Sequence, residues 1–383
     1  MLKSDSDEMR INVGGKILRR GYTTGTCAAA ASKAAAQMLV TGEDVCSVNI
    51  TTPKGITLSL EVEEIKRDGG SVMCAVRKDG GDDMDVTHGS LVFSKVSFSE
   101  KEIHIDGGEG VGRVTKKGLD QPVGNAAINR VPRSMISEAL EDVCDALGYG
   151  GGFDVVITVP DGVGLAEKTF NPRMGIIGGI SVLGTSGIVE PMSEKAIVDT
   201  IKAEMNMRKE EGCDRLLVVP GNYGARYLEH ISGLDPDSAV KCSNYIGETL
   251  DHATESGFSS LLLVGNLGKL VKLAGGIMNT HSREADSRME ILAANAVLAG
   301  ATRNTVKDLM ESVSTDDALD SLEEIDLIAP VMDLISQKIE YHMNRRTGGK
   351  MRCGAIIFSS KYGLIGMTPS SSEILQMLGG SLS

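Results

Sequence analysis

The sequence predicts a two-part fold: an N-terminal mixed α+β domain, then a C-terminal Rossmann-like α/β domain built on a parallel sheet. Three observations carry that expectation. Short stretches rich in β-branched residues crowd the first half around one alanine-rich segment. In the second half, continuous apolar runs at 216–219, 261–264 and 355–358 alternate with helical segments, as strands buried on both faces do. Two of those runs lead into related glycine turns, GNYG at 221–224 and GNLG at 265–268, and such turns lie where parallel sheets bind ligands. The expected divisions are a flexible N-terminal tail over 1–18, the α+β domain over 19–190 and the α/β domain over 191–383.

Taken in order, the elements follow from local chemistry. Gly25 to Leu39 is a helix by alanine propensity, with Thr24 or Thr26 to cap it. SVNITT (47–52), ITLSLEVEEIK (56–66), SVMCAVRK (71–78) and LVFSKVSF (91–98) partly alternate and read as strands. Ser134 to Gly148 is an amphipathic helix closed by glycine, and FDVVITVP (153–160) a buried strand. From Pro191 to Gly212 the pattern is helical, capped by Ser193, with Ile197, Ile201 and Met205 one turn apart on a core-facing stripe.

Composition narrows the function classes. At 383 residues the chain can bury a large interior, and its seven cysteines show no C-x-x-C pair, so neither a zinc site nor a disulfide framework is signalled. Buried thiols in a reducing cytoplasm are expected instead. A net charge of -13, with no tryptophan and few other aromatics, argues against coating or stacking on nucleic acid. No apolar run is long enough for a membrane span, and the charged opening MLKSDSDEMR lacks a secretion signal. A small-molecule enzyme of the cytoplasm fits best.

The densest chemistry lies in KDGGDDMDVTHG (78–89), where Asp79, Asp82, Asp83, Asp85 and His88 share a window with three glycines. Glycine lets the backbone approach a ligand closely, but Asp and Gly also populate ordinary turns, so residue types alone leave turn and binding site level. The spacing of a calcium loop and its closing Glu are missing, so no metal site is expected.

Four further segments offer binding groups. Between Gly175 and Pro191, Gly178, Gly179 and Gly184 with Thr185 and Ser186 can wrap an anionic or adenosyl ligand, or simply form a glycine-rich crossover. Thr24 and Thr26 stand at a helix N-terminus that favours an anion, with a plain capped helix as the alternative. Arg113, Lys116 and Lys117 form a positive patch. At the strand-end turn of Gly265, Asn266 and Gly268, Lys269 and Lys272 oppose the dipole of the helix they begin, which calls for an anionic ligand or an interdomain acid; His281 and Arg283 can complete the same pocket, with a structural histidine as the alternative. Walker, G-x-S-x-G and H-E-x-x-H signatures are missing.

Together GYTTGTCAAAA, KDGGDDMDVTHG, GEGVGRVTKKGL, INRVPRSMI, NPRMGIIGGISVLGTSGIVEPMS and GNLGKLVKLAGGIMNTHSREAD resemble, in this order, the CbiD family of cobalt-precorrin-5B (C1)-methyltransferases of anaerobic cobalamin biosynthesis. The match runs from residue 19 to the C-terminal strand. Met84 stands where the family pattern usually has proline, and Asn125 and Arg130 depart from its G-E-P-A-I-N-P-V-P-R segment.

The resemblance implies transfer of a methyl group from S-adenosylmethionine to ring carbon C1 of cobalt-precorrin-5B. Cobalt-precorrin-6A and S-adenosylhomocysteine would be released, and cobalt would arrive only as part of the substrate. The partner is then a corrinoid small molecule, with no nucleic acid and no membrane; a homo-oligomer is left open. On that reading Asp85 and His88 take or relay a proton, and Asp82 or Asp83 meets the ribose or the sulfonium. The donor is held by Gly178, Gly179, Gly184, Thr185, Ser186, Gly265, Asn266 and Gly268. Thr24, Thr26, Arg113, Arg133, Lys269, Lys272, His281 and Arg283 bind the substrate, the cations taking its acetate and propionate arms. A tetrapyrrole carrier and a small-molecule phosphotransferase are the competing classes.

Overall fold

In the computed structural model, which describes residues 8–13, 15–229 and 231–382, the chain divides into two units, Met1–Glu194 and Lys195–Ser383. The first begins with an antiparallel hairpin, β1 (Arg10–Val13) against β2 (Lys16–Arg19). Within the span 1–18 expected as a flexible tail, RINV and KILR alternate and pair as strands, and the Gly15 amide donates to Asn12 Oδ1 at 3.0 Å. Residues 1–7 and 14 lie outside the described residues.

Helix α1 (Thr24–Thr41) is the centre of this unit. Cys27, the alanines at 28–31 and 34–36, and Met38 are wholly buried, because side chains this small let neighbours close in on every face. Its cap is Thr23, one residue before the first of the two expected caps, and its hydroxyl accepts from the Thr26 amide at 3.2 Å. The hairpin β3 (Ser47–Thr51) and β4 (Thr57–Glu61) adds Val48, Ile50, Leu58 and Leu60 to the core around it.

Four strands follow, β5 (Glu63–Asp68), β6 (Ser71–Arg77), β7 (Leu91–Ser99) and β8 (Ile103–Gly107). Helix α2 (Arg130–Leu147) then leads to β9 (Gly152–Thr158). The sheet order is β5-β6-β7-β9-β8, antiparallel except for the parallel β9–β8 edge. Helix α2 starts four residues before the expected Ser134, since Pro132 is tolerated in a first turn, and ends as expected at Gly148 in the left-handed region.

The second unit starts within α3 (Glu194–Glu210), where Ile201 and Met205 are buried but Ile197 is exposed, so the stripe is shorter than expected. The elements β10 (Arg215–Val219), α4 (Asn222–Leu228), β11 (Val240–Lys241), α5 (Ile246–Glu255), β12 (Ser260–Asn266) and α6 (Leu267–Leu270) follow. Four helices, α7 (Arg288–Leu298), α8 (Arg303–Glu311), α9 (Thr315–Glu323) and α10 (Ile328–Arg346), precede β13 (Arg352–Ser359), β14 (Gly363–Met367) and α11 (Ser371–Met377).

The sheet order is β11-β10-β12-β13-β14, which is 2-1-3-4-5 along the chain, parallel except for the last strand. Alternate residues face opposite cores. Leu216, Val218, Leu261 and Leu263 pack with α5 and α10, whereas Leu217, Val219, Leu262 and Val264 pack with Leu228, Ile374 and Leu375. Both faces being covered explains why these strands read as unbroken apolar runs.

Candidate active site

Residues 78–90 close a loop between β6 and β7, the Lys78 amide donating to Ser90 O at 2.9 Å and the Gly89 amide to Lys78 O at 2.8 Å. Lys78 turns inward and is buried; its ammonium donates to Asp85 Oδ2 at 2.8 Å. Thr87 donates to Asp85 Oδ1 through its amide at 2.8 Å and its hydroxyl at 2.6 Å. Burial pulls the Asp85 carboxyl up, but Lys78 and Thr87 together outweigh it and hold it below the ordinary carboxylate range. A carboxylate so satisfied organises the loop, and the proton relay expected of Asp85 would require it to give up one of these partners.

His88 is brought to the same place. The Gly80 amide donates to its Nδ1 at 3.0 Å, so the neutral ring carries its proton on Nε2, and the side chain is half exposed. In that tautomer His88 offers a donor, not a base. Asp79 is held below the ordinary range by its paired hydrogen bonds to Arg19, against burial. Asp82 Oδ2 accepts the Arg19 amide at 2.7 Å and Asp83 Oδ1 the Met192 amide at 3.2 Å, so a ribose or sulfonium contact rests on their second oxygens. Met84, where a proline would stiffen the turn, is almost fully exposed at 98%.

Because Asp85 has a lowered folded pKa, its pairing stabilises the protein fully above its unfolded value, and that contribution is lost as pH falls through the folded one, below the ordinary 3.8. The stability gap between wild type and Asp85→Asn is therefore expected to stay constant from pH 7 to about 5 and to narrow below about pH 4. Urea unfolding across that range measures it; a gap that widened toward acid would contradict the assignment.

The helix start and the glycine-rich segment prove to be each other's partners. The Thr24 hydroxyl donates to Leu183 O at 3.2 Å and accepts the Leu183 amide at 3.1 Å; Thr26 donates to Gly187 O at 2.7 Å; and the Gly25 amide donates to Leu183 O at 3.0 Å. The Thr26 amide is taken by the Thr23 hydroxyl, so the substrate contact expected of Thr24 and Thr26 would have to displace bonds already made within the protein. Gly179 is buried against Gly110, and the partly buried Gly184 packs on Thr23, so their missing side chains serve chain packing. Ser186 turns back to Ile188 O at 2.9 Å. Gly178 and the exposed Thr185 remain open to a ligand.

Two expected substrate cations are internal clamps. Arg113 grips Asp106 at 2.6 and 2.9 Å, and Arg133 donates to Ile128 O at 2.9 Å and Ile105 O at 2.8 Å. Lys272 is a third: it is buried, donating to Thr280 O at 3.1 Å and Ala285 O at 2.7 Å, and so pins the loop on which His281 and Arg283 stand exposed. His281 Nδ1 accepts the Arg283 amide at 3.1 Å.

The second unit has its own candidate site. After β10 the chain passes to the core that contains Leu228, and after β12 to the opposite core, with Leu267 and Leu270. Departure to opposite faces makes the carboxyl ends of β10 and β12 a topological switch point, the place where doubly wound sheets bind ligands. Asn266 caps α6, its Oδ1 accepting the Gly268 amide at 2.8 Å, and its Nδ2 donates to Tyr227 at 3.2 Å. Gly265 packs on the Pro220 ring, so it shapes the switch point without facing it. Lys269 Nζ donates to Pro220 O at 3.2 Å and Ser243 O at 3.5 Å.

Two residues of this site escaped the sequence reading. Gly221 has φ +92, a conformation glycine alone adopts easily, and a Cβ there would meet nothing nearer than Lys269 Nζ at 4.0 Å. Its signal was the GNYG turn itself. Ser243, left-handed at φ 53, had no sequence signal, because only the surrounding fold holds a serine there. Among the described residues no three His, Cys, Asp or Glu gather as a metal would require, and no helix is long and apolar enough to cross a membrane. Cys27, Cys74, Cys242 and Cys353 are buried, whereas Cys46 is exposed.

Comparison with known proteins bears on the whole chain. The CbiD family model matches residues 11–191, and the model of the CbiD C-terminal domain matches residues 279–369. A cobalt-precorrin-5B C(1)-methyltransferase of Ruminiclostridium cellulolyticum is 52% identical over 90% of each chain. One of Alkaliphilus metalliredigens is 45% identical, covering 95% of this chain and 96% of its own. A solved cobalamin biosynthesis protein (cbiD) from Archaeoglobus fulgidus is 29% identical over 75% of this chain and 92% of its own; its TM-score of 0.41 is too low to bear on the fold. The chain belongs to the CbiD family.

Proposed function

We propose that the protein is a cobalt-precorrin-5B C(1)-methyltransferase, using S-adenosylmethionine to methylate ring carbon C1 in cobalamin biosynthesis. The observation that carries this is the 52% identity to a relative of that name over 90% of both chains. S-adenosylmethionine, when bound, would supply an electrophilic sulfonium methyl group to a nucleophilic ring carbon. What remains for the protein is alignment and exclusion of water, so few reacting side chains are needed.

The second unit is, in this reading, a Rossmann-like donor domain, supported by its 2-1-3-4-5 sheet and the switch point between β10 and β12. Gly221 leaves the backbone open to a ligand, while Asn266 and Gly268 hold the facing turn. In the first unit, His88 Nε2–H is a donor suited to a carboxylate.

Calorimetry and a product assay test the reading. The full-length protein is expected to bind S-adenosylhomocysteine, to ignore ATP with Mg²⁺, and to add one methyl to cobalt-precorrin-5B as seen by mass spectrometry. Binding of the macrocycle without any adenosyl ligand would instead identify a carrier.

A further inference from the structure

Lys269 carries a charge that the second unit leaves uncompensated. Its ammonium gives two N–H groups to the carbonyls of Pro220 and Ser243, which leaves a third. Among the described residues no carboxylate pairs with it, and the nearby Lys272 repels it. Burial lowers its pKa from the ordinary lysine range, as removing an ammonium from water must. A half-buried cation of this kind is costly unless a ligand brings the opposite charge.

Its position says what kind of ligand. Both carbonyls lie just past the carboxyl ends of β10 and β11, beside the switch point of the sheet, and a Cβ added at Gly221 would stand 4.0 Å from Nζ, so the missing side chain there keeps the ammonium approachable. Ser243, held in the left-handed region, fixes the second carbonyl. The arrangement suits one carboxylate entering along the strand ends. The arms of a macrocycle have the same chemistry, but exposed cations such as Arg283 reach them without entering the switch point.

We propose that Lys269 is the anchor for the α-carboxylate at the methionyl end of the methyl donor, an assignment that rests on the methyltransferase reading above. It moves Lys269 from the substrate to the donor. No bond forms or breaks; the contact is a charge-assisted hydrogen bond that fixes where the sulfonium stands.

The test compares two ligands by calorimetry on the full-length protein: S-adenosylhomocysteine, and S-adenosyl-3-thiopropylamine, which lacks only the carboxylate. Wild type is expected to prefer the first by about ten- to a hundredfold. Lys269→Met is expected to abolish the preference while binding the decarboxylated ligand within about twofold of wild type. Lys269→Gln is the second variant should the first not fold. The anchor is overturned if wild type shows no preference, if the variant keeps it, or if the variant loses both ligands equally, as general damage to the site would cause. Wild type that binds neither ligand overturns the methyltransferase reading together with the anchor.

Discussion

Lys78→Met is expected to lower the unfolding free energy by about 3 kcal/mol, because it removes one partner of a buried pair and leaves the other charged. Lys78 is 1% exposed, and Asp85 faces inward toward it. The ammonium holds Asp85 ionised against burial, and without it a carboxylate sits next to apolar α1, beside Cys27, whose own thiol burial pushes up to about 12. Asp85→Asn on top of Lys78→Met removes the stranded charge while keeping an acceptor for Thr87, so the double variant is expected to regain most of the loss. Urea unfolding of wild type, both single variants and the double variant measures this cycle. A double variant no more stable than Lys78→Met would mean that the pair does not act as a pair. His88 shares the loop, so the same single variant is expected to disorder the Gly80 amide bond to its Nδ1.

Gly21→Ala is expected to cost about 3 kcal/mol or more, near the upper end for overpacking, because the obstruction is backbone. A Cβ at Gly21 would stand 2.3 Å from Asp79 O and 2.4 Å from Gly80 C, and a Cβ at Gly81 would stand 2.4 Å from Arg19 O. Strand and loop meet with no room for a methyl group on either side. No side-chain rotation relieves such a contact, so the loop must leave residues 19–22, breaking the Tyr22 amide bond to Asp79 O at 2.9 Å and the Asp82 amide bond to Arg19 O at 2.9 Å. Limited proteolysis should then cut within 78–89 in the variant and not in wild type. Gly150→Ala, where a Cβ meets nothing within 4 Å, serves as control and is expected to be neutral or slightly stabilising. Equal effects of the two substitutions would refute the docking argument.

Most elements were legible because they depend on neighbours in sequence. The apolar runs at 216–219, 261–264 and 355–358 became β10, β12 and β13, and the alanine segment became α1. What escaped was short or set by distant partners. β11 is two residues long and is defined by pairing with β10, and the hairpin at 10–19 lies in a segment whose polar start reads as a tail. The ligand segments fared unevenly for the same reason. Thr24 looked like an anion site, yet its partner Leu183 lies 159 residues away.

The sequence by itself determined the family pattern, the order of helices and strands, and the inventory of donors, acids and cations, since each follows from residue type and local spacing. Only the tertiary structure decided which of those groups are already spent. Arg133 and Lys272 are as cationic as Lys269 in sequence, and folding gives all three backbone carbonyls, but Asp106 acts on the first and Asp286 stands 4.0 Å from the second, whereas among the described residues no carboxylate pairs with the third. A side chain fixes what bonds it can make. Chain closure between distant residues fixes whether a ligand or the protein itself receives them.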